Sequence, residues 1–354
     1  MQARAWADAI RIGAIYAGTV MGAGFASGQE IVQFFVSFGR AGFAGILLAT
    51  VLFAWLGCRL LELGHRLRAT AYHQAIYYVC GRRIGRLLDW LTSAFLFAAL
   101  AVMLAGIATV ARDHVGLPYW PTLGGAGLAV ATAVVFGLRG IAAANMVLTP
   151  LLLTAVMAMS LYSLVYHALD PAGLAVPATP VRQPAAHWLL ASLLYVSYNI
   201  VVSSTVLVPL GGSMPLYASR LAGGVLGGLV LGGLATFLSL VVMLHYPGSL
   251  DREVPILEVA SRQHPLAGAA YALILLTAMY TTALAALFGC AGKAAAATGL
   301  PPAVAAVLIT AAALGCGQIG FAKLIGILFP FFGYATFWFT VRLAWSSLRG
   351  SRWR

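Results

Sequence analysis

The sequence predicts an all-α integral membrane protein of about ten transmembrane helices, arranged as a 5+5 inverted repeat with helices 1 and 6 discontinuous. Three observations predict it. The first is composition: of 354 residues, 62% are hydrophobic and 8% charged, and the mean hydropathy is +0.93. An ordinary soluble domain carries about 25% charged residues. A soluble enzyme is excluded, and so is a separate domain outside the membrane. The unit of this chain is the apolar crossing of ~20 residues. The second observation is that Lys and Arg gather in alternate loops. The third is a first apolar segment too long for one crossing and rich in glycine.

The spans follow in order, with approximate boundaries. Span one covers about 9–38 and span two about 42–63. A basic, Tyr-containing segment over about 66–86 lies along the membrane surface or forms a loop helix. Spans three, four and five cover about 88–111, 121–138 and 143–167. A Pro/Ala-rich loop takes up about 168–186, then span six covers about 187–210 and span seven about 217–245. A short charged segment over about 248–265 is expected to hold a helix. Spans eight, nine and ten cover about 267–290, 301–317 and 321–346. Repeat one is then about 9–167 and repeat two about 187–346, within a single membrane domain, 1–354. Pro150 and Pro209 are expected to bend spans five and six. The pairs Gly223-Gly224, Gly227-Gly228 and Gly232-Gly233 give span seven a small-residue stripe for close packing.

Charge fixes the expected orientation. With the N-terminus in the cytoplasm, fifteen of the 21 Lys and Arg, from Arg4 to Arg354, fall inside. Arg40, Arg112, Arg182, Arg252, Arg262 and Lys323 fall outside. The acids Asp113, Asp170, Asp251, Glu253 and Glu258 also fall outside. This bias predicts cytoplasmic N- and C-termini. It also accounts for the net charge of +12; no basic run is interleaved with exposed aromatics, so nucleic acid is not an expected partner. The four cysteines are scattered and read as small apolar fillers. The first apolar stretch is long and lacks an A-x-A site, so no cleavable leader is expected. No metal-ligating histidine spacing and no nucleophile–base arrangement stands out, which argues against an intramembrane enzyme and against a resident cofactor.

Span one carries the main signal. It reads Gly18-Thr19-Val20-Met21-Gly22-Ala23-Gly24-Phe25-Ala26-Ser27-Gly28-Gln29-Glu30 across its middle. Glycine costs about 1 kcal/mol relative to Ala in a helix interior. A carboxylate at membrane depth costs at least ~2.5–3.5 kcal/mol and faces a cavity or partner. Gly18 and Gly22 alone fit G-x-x-x-G helix packing. A helix interrupted near Gly22 accounts in addition for the polar residues that follow. Such a break frees N–H groups for an anion and carbonyls for a cation, the way discontinuous helices build transporter sites. The partner break falls in span six, at Tyr195-Val196-Ser197-Tyr198-Asn199, although no glycine lies there. The alternative for Tyr198 and Asn199 is interhelical hydrogen bonding.

The segment Ala17–Phe25 resembles helix one of the LeuT-fold transporters of the amino acid–polyamine–organocation superfamily. The run Gly22–Glu30 is similar to the opening of the YkvI-like bacterial membrane proteins. The resemblance implies a multi-pass protein of the bacterial inner membrane that carries a small, amino-acid-like solute across the lipid bilayer. It implies a sodium ion as coupling ion, held by the carbonyls of Gly18, Met21 and Ala278 and the hydroxyls of Thr281 and Thr282. The alternative for the threonines is back-bonding to their own helix. The N–H groups of Ala23 and Gly24 are expected to hold a solute carboxylate. Phe25, Tyr198 and Phe97 are expected as aromatic walls, with Asn199 beside them. Glu30 and Lys323 are expected to pair as an outer gate; the alternative is that Glu30 meets the solute or a polar neighbour. Phe25 stands where a second sodium would need an Asn, and span five has no Lys or Arg between Asn145 and His167. The latter favours sodium over protons, with Glu30 as the proton carrier in the alternative. A channel or sensor without coupled transport is the remaining reading. Oligomeric state is not legible.

Overall fold

The computed structural model describes residues 2–135, 141–166, 183–246, 248–250 and 252–348. The Pro/Ala-rich loop up to residue 182 lies outside the described residues, as do Arg139, Asp170, Arg182, Asp251, Arg349, Arg352 and Arg354. Regular structure among the described residues is helical throughout. Each expected span falls on a helix. Span one becomes α1 (Gln2–Val20), α2 (Ala23–Ala26) and α3 (Gln29–Phe34). Span two is α4 (Arg40–Arg66), and span three lies in α5 (Tyr72–Val110). α6 (Tyr119–Val135) and α7 (Ile141–Tyr166) follow, and α7 runs through Pro150. The second half holds α8 (Trp188–Ser213), α9 (Tyr217–Leu244), α10 (Pro255–Gln263), α11 (Pro265–Thr298), α12 (Pro302–Gly317) and α13 (Phe321–Leu348). Among the described residues, 6 helices are long and apolar enough to cross a membrane, and three shorter apolar helices accompany them.

The expected break in span one is present. Helix α1 stops at Val20, and Gly22 takes an extended conformation (φ −82°, ψ 178°) before α2 begins. A second interruption follows at Gly28, where φ is +84°. A residue with a Cβ is strained there, and a Cβ on Gly28 would also lie 2.7 Å from Ile256 Cγ1 of α10.

The expected break in span six is absent, and that expectation is corrected. Helix α8 is continuous from Trp188 to Ser213, passing through Pro209. Three members of its polar run bond their own helix, while the Tyr195 hydroxyl and Ser203 Oγ have no partner among the described residues. Ser197 Oγ donates to the Leu193 carbonyl (2.6 Å), Asn199 Nδ2 to Tyr195 (2.9 Å) and Ser204 Oγ to Val201 (2.6 Å). Hydroxyls and amides that back-bond in this way need no gap in the helix, and no glycine occurs before Gly211 to open one.

The basic segment after span two forms a helix from Tyr72, which Gly81 (φ +75°) separates from the rest of α5. Lys293, near the end of α11, anchors this corner: its Nζ lies 2.7 Å from Asp89 Oδ1 and 3.1 Å from the Tyr72 hydroxyl.

The glycine stripe of α9 packs on two sides. A Cβ on Gly223 would meet Ile12 of α1 at 2.5 Å. Cβ atoms on Gly224 and Gly228 would meet Cys58 and Ala54 of α4 at 2.6 and 2.5 Å. Helices α1 and α4 therefore both approach the α9 backbone directly.

Candidate functional site

Four elements position the site: the α2–α3 segment, α8, α5 and α13. Glu30 opens the first turn of α3 and is only 5% exposed. Its Oε2 accepts a hydrogen bond from the Tyr198 hydroxyl of α8 at 2.7 Å. Its other oxygen, Oε1, lies against the Cα of Gly24, where a Cβ would collide with it. The carboxyl group thus folds back onto the break and bridges to α8. No basic side chain pairs with it among the described ion pairs.

Rings surround Tyr198. Phe95 of α5 lies 6.0 Å away between centroids, Phe329 of α13 5.3 Å, Phe34 5.9 Å and Tyr195 5.6 Å. Phe332 joins through Phe95 at 5.1 Å. Gln33, one turn after Glu30, is 2% exposed, and its Oε1 has no hydrogen-bond partner. Gln33 Nε2 lies where a Cβ on Gly326 of α13 would come within 2.5 Å. A small-residue gap in α13 therefore admits the carboxamide.

The freed backbone around α2 is partly taken up by neighbours. Tyr271 of α11 donates to the Ala26 carbonyl at 2.7 Å, and the Ile256 N–H of α10 donates to the Ser27 carbonyl at 3.2 Å. Ser27 Oγ donates to Gly24 at 2.6 Å. The N–H groups of Ala23 and Gly24 have no backbone acceptor among the described residues. Helix α10 thus seals one end of the break. Glu253 reinforces that end by accepting from the Ala322 N–H at 3.0 Å, and Arg112 Nη2 lies 3.7 Å from the same carboxylate.

Several sequence-predicted residues come together and others do not. Ala23, Gly24, Glu30 and Tyr198 converge at the break, while Phe25 is buried beside them (1% exposed) outside the ring cluster. Asn199 turns onto its own helix. Phe97 makes no ring contact with Tyr198 among the described residues; Phe95, two positions earlier, does. Lys323 is exposed at the start of α13 and forms no pair with Glu30 in this conformation. The acid serving that helix start is Glu253. Thr281 and Thr282 both donate to the Ala278 carbonyl, at 3.1 and 2.7 Å, so these three groups are adjacent on α11. Met21 is buried and Gly18 half-buried on the α1 side of the break. The sequence reading missed Gln33, Phe95, Phe329 and Phe332. The i, i+3 spacing of Glu30 and Gln33 within a buried helix was the signal available for the first.

Fold and buried site together define a multi-pass, all-helical membrane protein of LeuT-like fold. MhsT, solved in complex with L-phenylalanine, matches at TM-score 0.61 with 18% identity, over 94% of this chain and 88% of its own. A manganese transporter of Eremococcus coleocola matches at TM-score 0.61 with 14% identity, over 99% and 81%. At such identities the likeness is one of fold. No family model matches the chain. The membrane protein YkvI of Bacillus subtilis (strain 168), itself uncharacterized, is 30% identical over 340 residues, 93% of this chain and 93% of its own length. The chain belongs to the YkvI-like membrane protein family.

Proposed function

We infer that the protein is a secondary active transporter, a sodium-coupled symporter of a small organic solute such as an amino acid, working by alternating access. The observation that carries this reading is Glu30. A buried carboxyl folded onto a broken helix and hydrogen-bonded to Tyr198 is costly in a membrane unless it serves a passing ligand. The surrounding rings suit the apolar part of a solute and the face of a cationic amine. Tyr198 holds the carboxyl in place. Ala23 and Gly24 N–H groups are the proposed anchor for a solute carboxylate.

Support for sodium comes from Ala278, Thr281 and Thr282. Their clustered oxygens on α11, with the carbonyls of Gly18 and Met21, are the proposed hard-oxygen donor set for a small cation. Among the described residues no three of His, Cys, Asp and Glu gather to hold a metal ion. The chain is proposed to be built of two repeats, about 9–167 and 187–346, with Glu30–Lys323 the proposed outer gate pair in another conformation.

The test is uptake into proteoliposomes from a mixture of labelled amino acids, with sodium or potassium gradients imposed. Thermal unfolding of the purified protein with the same solutes, in sodium or potassium, accompanies it. Sodium-dependent uptake and stabilisation are expected. Absence of both across the solute panel sinks the reading. A second reading, proton coupling through Glu30, is favoured by its lack of a basic partner; it predicts uptake driven by a pH gradient without sodium and abolished by Glu30→Gln.

A further inference from the structure

A groove of about 440 Å³ runs between α4 and α9 on the outside of the bundle. Its origin is the glycine stripe. Gly224, Gly228 and Gly232 bring the α9 backbone against Cys58, Ala54 and Thr50, so the seam is narrow and the larger flanking side chains stand up as rims. One end is apolar, lined by Val51, Trp55, Val225 and Leu229. Val51 and Leu229 are 57% and 55% exposed, as side chains facing lipid are. The other end is polar, lined by Arg59, Glu62, Arg66, Arg220 and Tyr217.

The charges at that end do not balance. Glu62 accepts from Arg66 at 2.8 Å and from Arg220 at 2.9 Å. Arg220 is 4% exposed and spends its other nitrogen on the Met214 and Pro215 carbonyls, at 2.7 and 2.9 Å. It is consumed by the fold. Arg66 remains 48% exposed. Arg59 is exposed and has no ion pair among the described residues. Three guanidinium groups thus line this end with one carboxylate; of the two at the rim, Arg59 has no ion pair among the described residues and Arg66 is half-exposed with one nitrogen on Glu62. From Val51 to Arg66 the α4 face climbs about 22 Å at ~1.5 Å per residue, about one leaflet of a ~30 Å hydrocarbon core together with its headgroup layer.

We propose that this groove binds one acidic phospholipid, with its phosphate between Arg59 and Arg66 and an acyl chain along Val51, Trp55, Val225 and Leu229. Charge complementarity selects the headgroup, because guanidinium forks match phosphate oxygens. The polarity gradient along the groove matches that of a lipid. The site is separate from the Glu30 centre and stands whatever the solute.

The test uses the full chain purified in detergent. Phosphatidylglycerol, phosphatidylcholine or water-soluble glycerol phosphate is added, and bound lipid is counted by native mass spectrometry beside the thermal unfolding midpoint. One retained phosphatidylglycerol per chain and a raised midpoint are expected, with neither from phosphatidylcholine nor from glycerol phosphate. Arg59→Gln with Arg66→Gln is expected to lower phosphatidylglycerol retention at least tenfold, leaving the lipid-free midpoint close to that of the parent. Val225→Trp, which fills the groove and keeps the charges, is expected to lose the lipid as well. Equal retention of both lipids, binding of glycerol phosphate alone, a second copy of the chain in place of lipid, or retention unaffected by both variants overturns the proposal.

Discussion

At the scale of single residues, the site turns on how little room surrounds Glu30. Gly24 has no side chain because the carboxyl occupies that place. Gly24→Ala is expected to push Glu30 off Tyr198 and to abolish solute-dependent stabilisation. Gly22→Ala is the control: a Cβ there meets nothing within 4 Å, and its backbone is extended. Loss of solute response in both variants, read by thermal unfolding with and without solute, counts against this local account. Tyr198→Phe removes the donor and keeps the ring. It is expected to lower stability by about 1–3 kcal/mol, the usual loss for an orphaned buried polar group, with the ring cluster intact by near-ultraviolet circular dichroism. Glu30 was legible in the sequence because charge is so scarce in the chain. Its partner was legible only as an alternative: Tyr198 reads first as a wall and second as an interhelical hydrogen-bonder, and the fold brings its hydroxyl within 2.7 Å of Glu30. Phe95 was missed in favour of Phe97 for a rotational reason. Two residues turn a helix by about 200°, and a span apolar on every side gives no phase from which to choose.

At the scale of elements, glycine placement decides which helices touch. Gly228→Ala would bring a Cβ within 2.5 Å of the Ala54 backbone nitrogen, so α4 and α9 must separate. Overpacking of this kind costs about 1–3 kcal/mol. Gly233→Ala meets nothing within 4 Å and gains helix propensity, so it is expected to be neutral or stabilising by up to about 1 kcal/mol. Thermal unfolding of the two variants side by side checks the contrast; equal effects remove the argument for direct backbone contact. The spans were legible because each is a long apolar run between turn residues. The break in span one was legible because Gly22, Gly24 and Gly28 mark it. The supposed break in span six rested on the repeat partnership with span one and on polar residues, and side chains that bond their own helix imitate that pattern without interrupting anything.

At the scale of the whole molecule, one end is held shut by a small set of contacts. Helix α10 lies on the break through the Ile256 N–H, and Glu253 caps the start of α13 while facing Arg112. Removing that carboxylate with Glu253→Ala is expected to loosen this end. In a background without the four native cysteines, a cysteine at Gln33, buried at 2%, is expected to react several-fold faster with a water-soluble maleimide. Unchanged labelling means that the contacts of Glu253 do not control access. The backbone contacts along α9 carry a mechanical consequence. Helices α1 and α4 are clamped to the same spine with almost no side-chain cushion between them, so the three form a keel with little internal play. The short pieces α2 and α3 are tied to the keel at both ends, to α1 through Met21 and Gly22 and to α4 through residues 35–39. Bending of the first crossing therefore falls on two joints, Gly22 and Gly28, on either side of the Gly24 backbone against which the Glu30 carboxyl is folded.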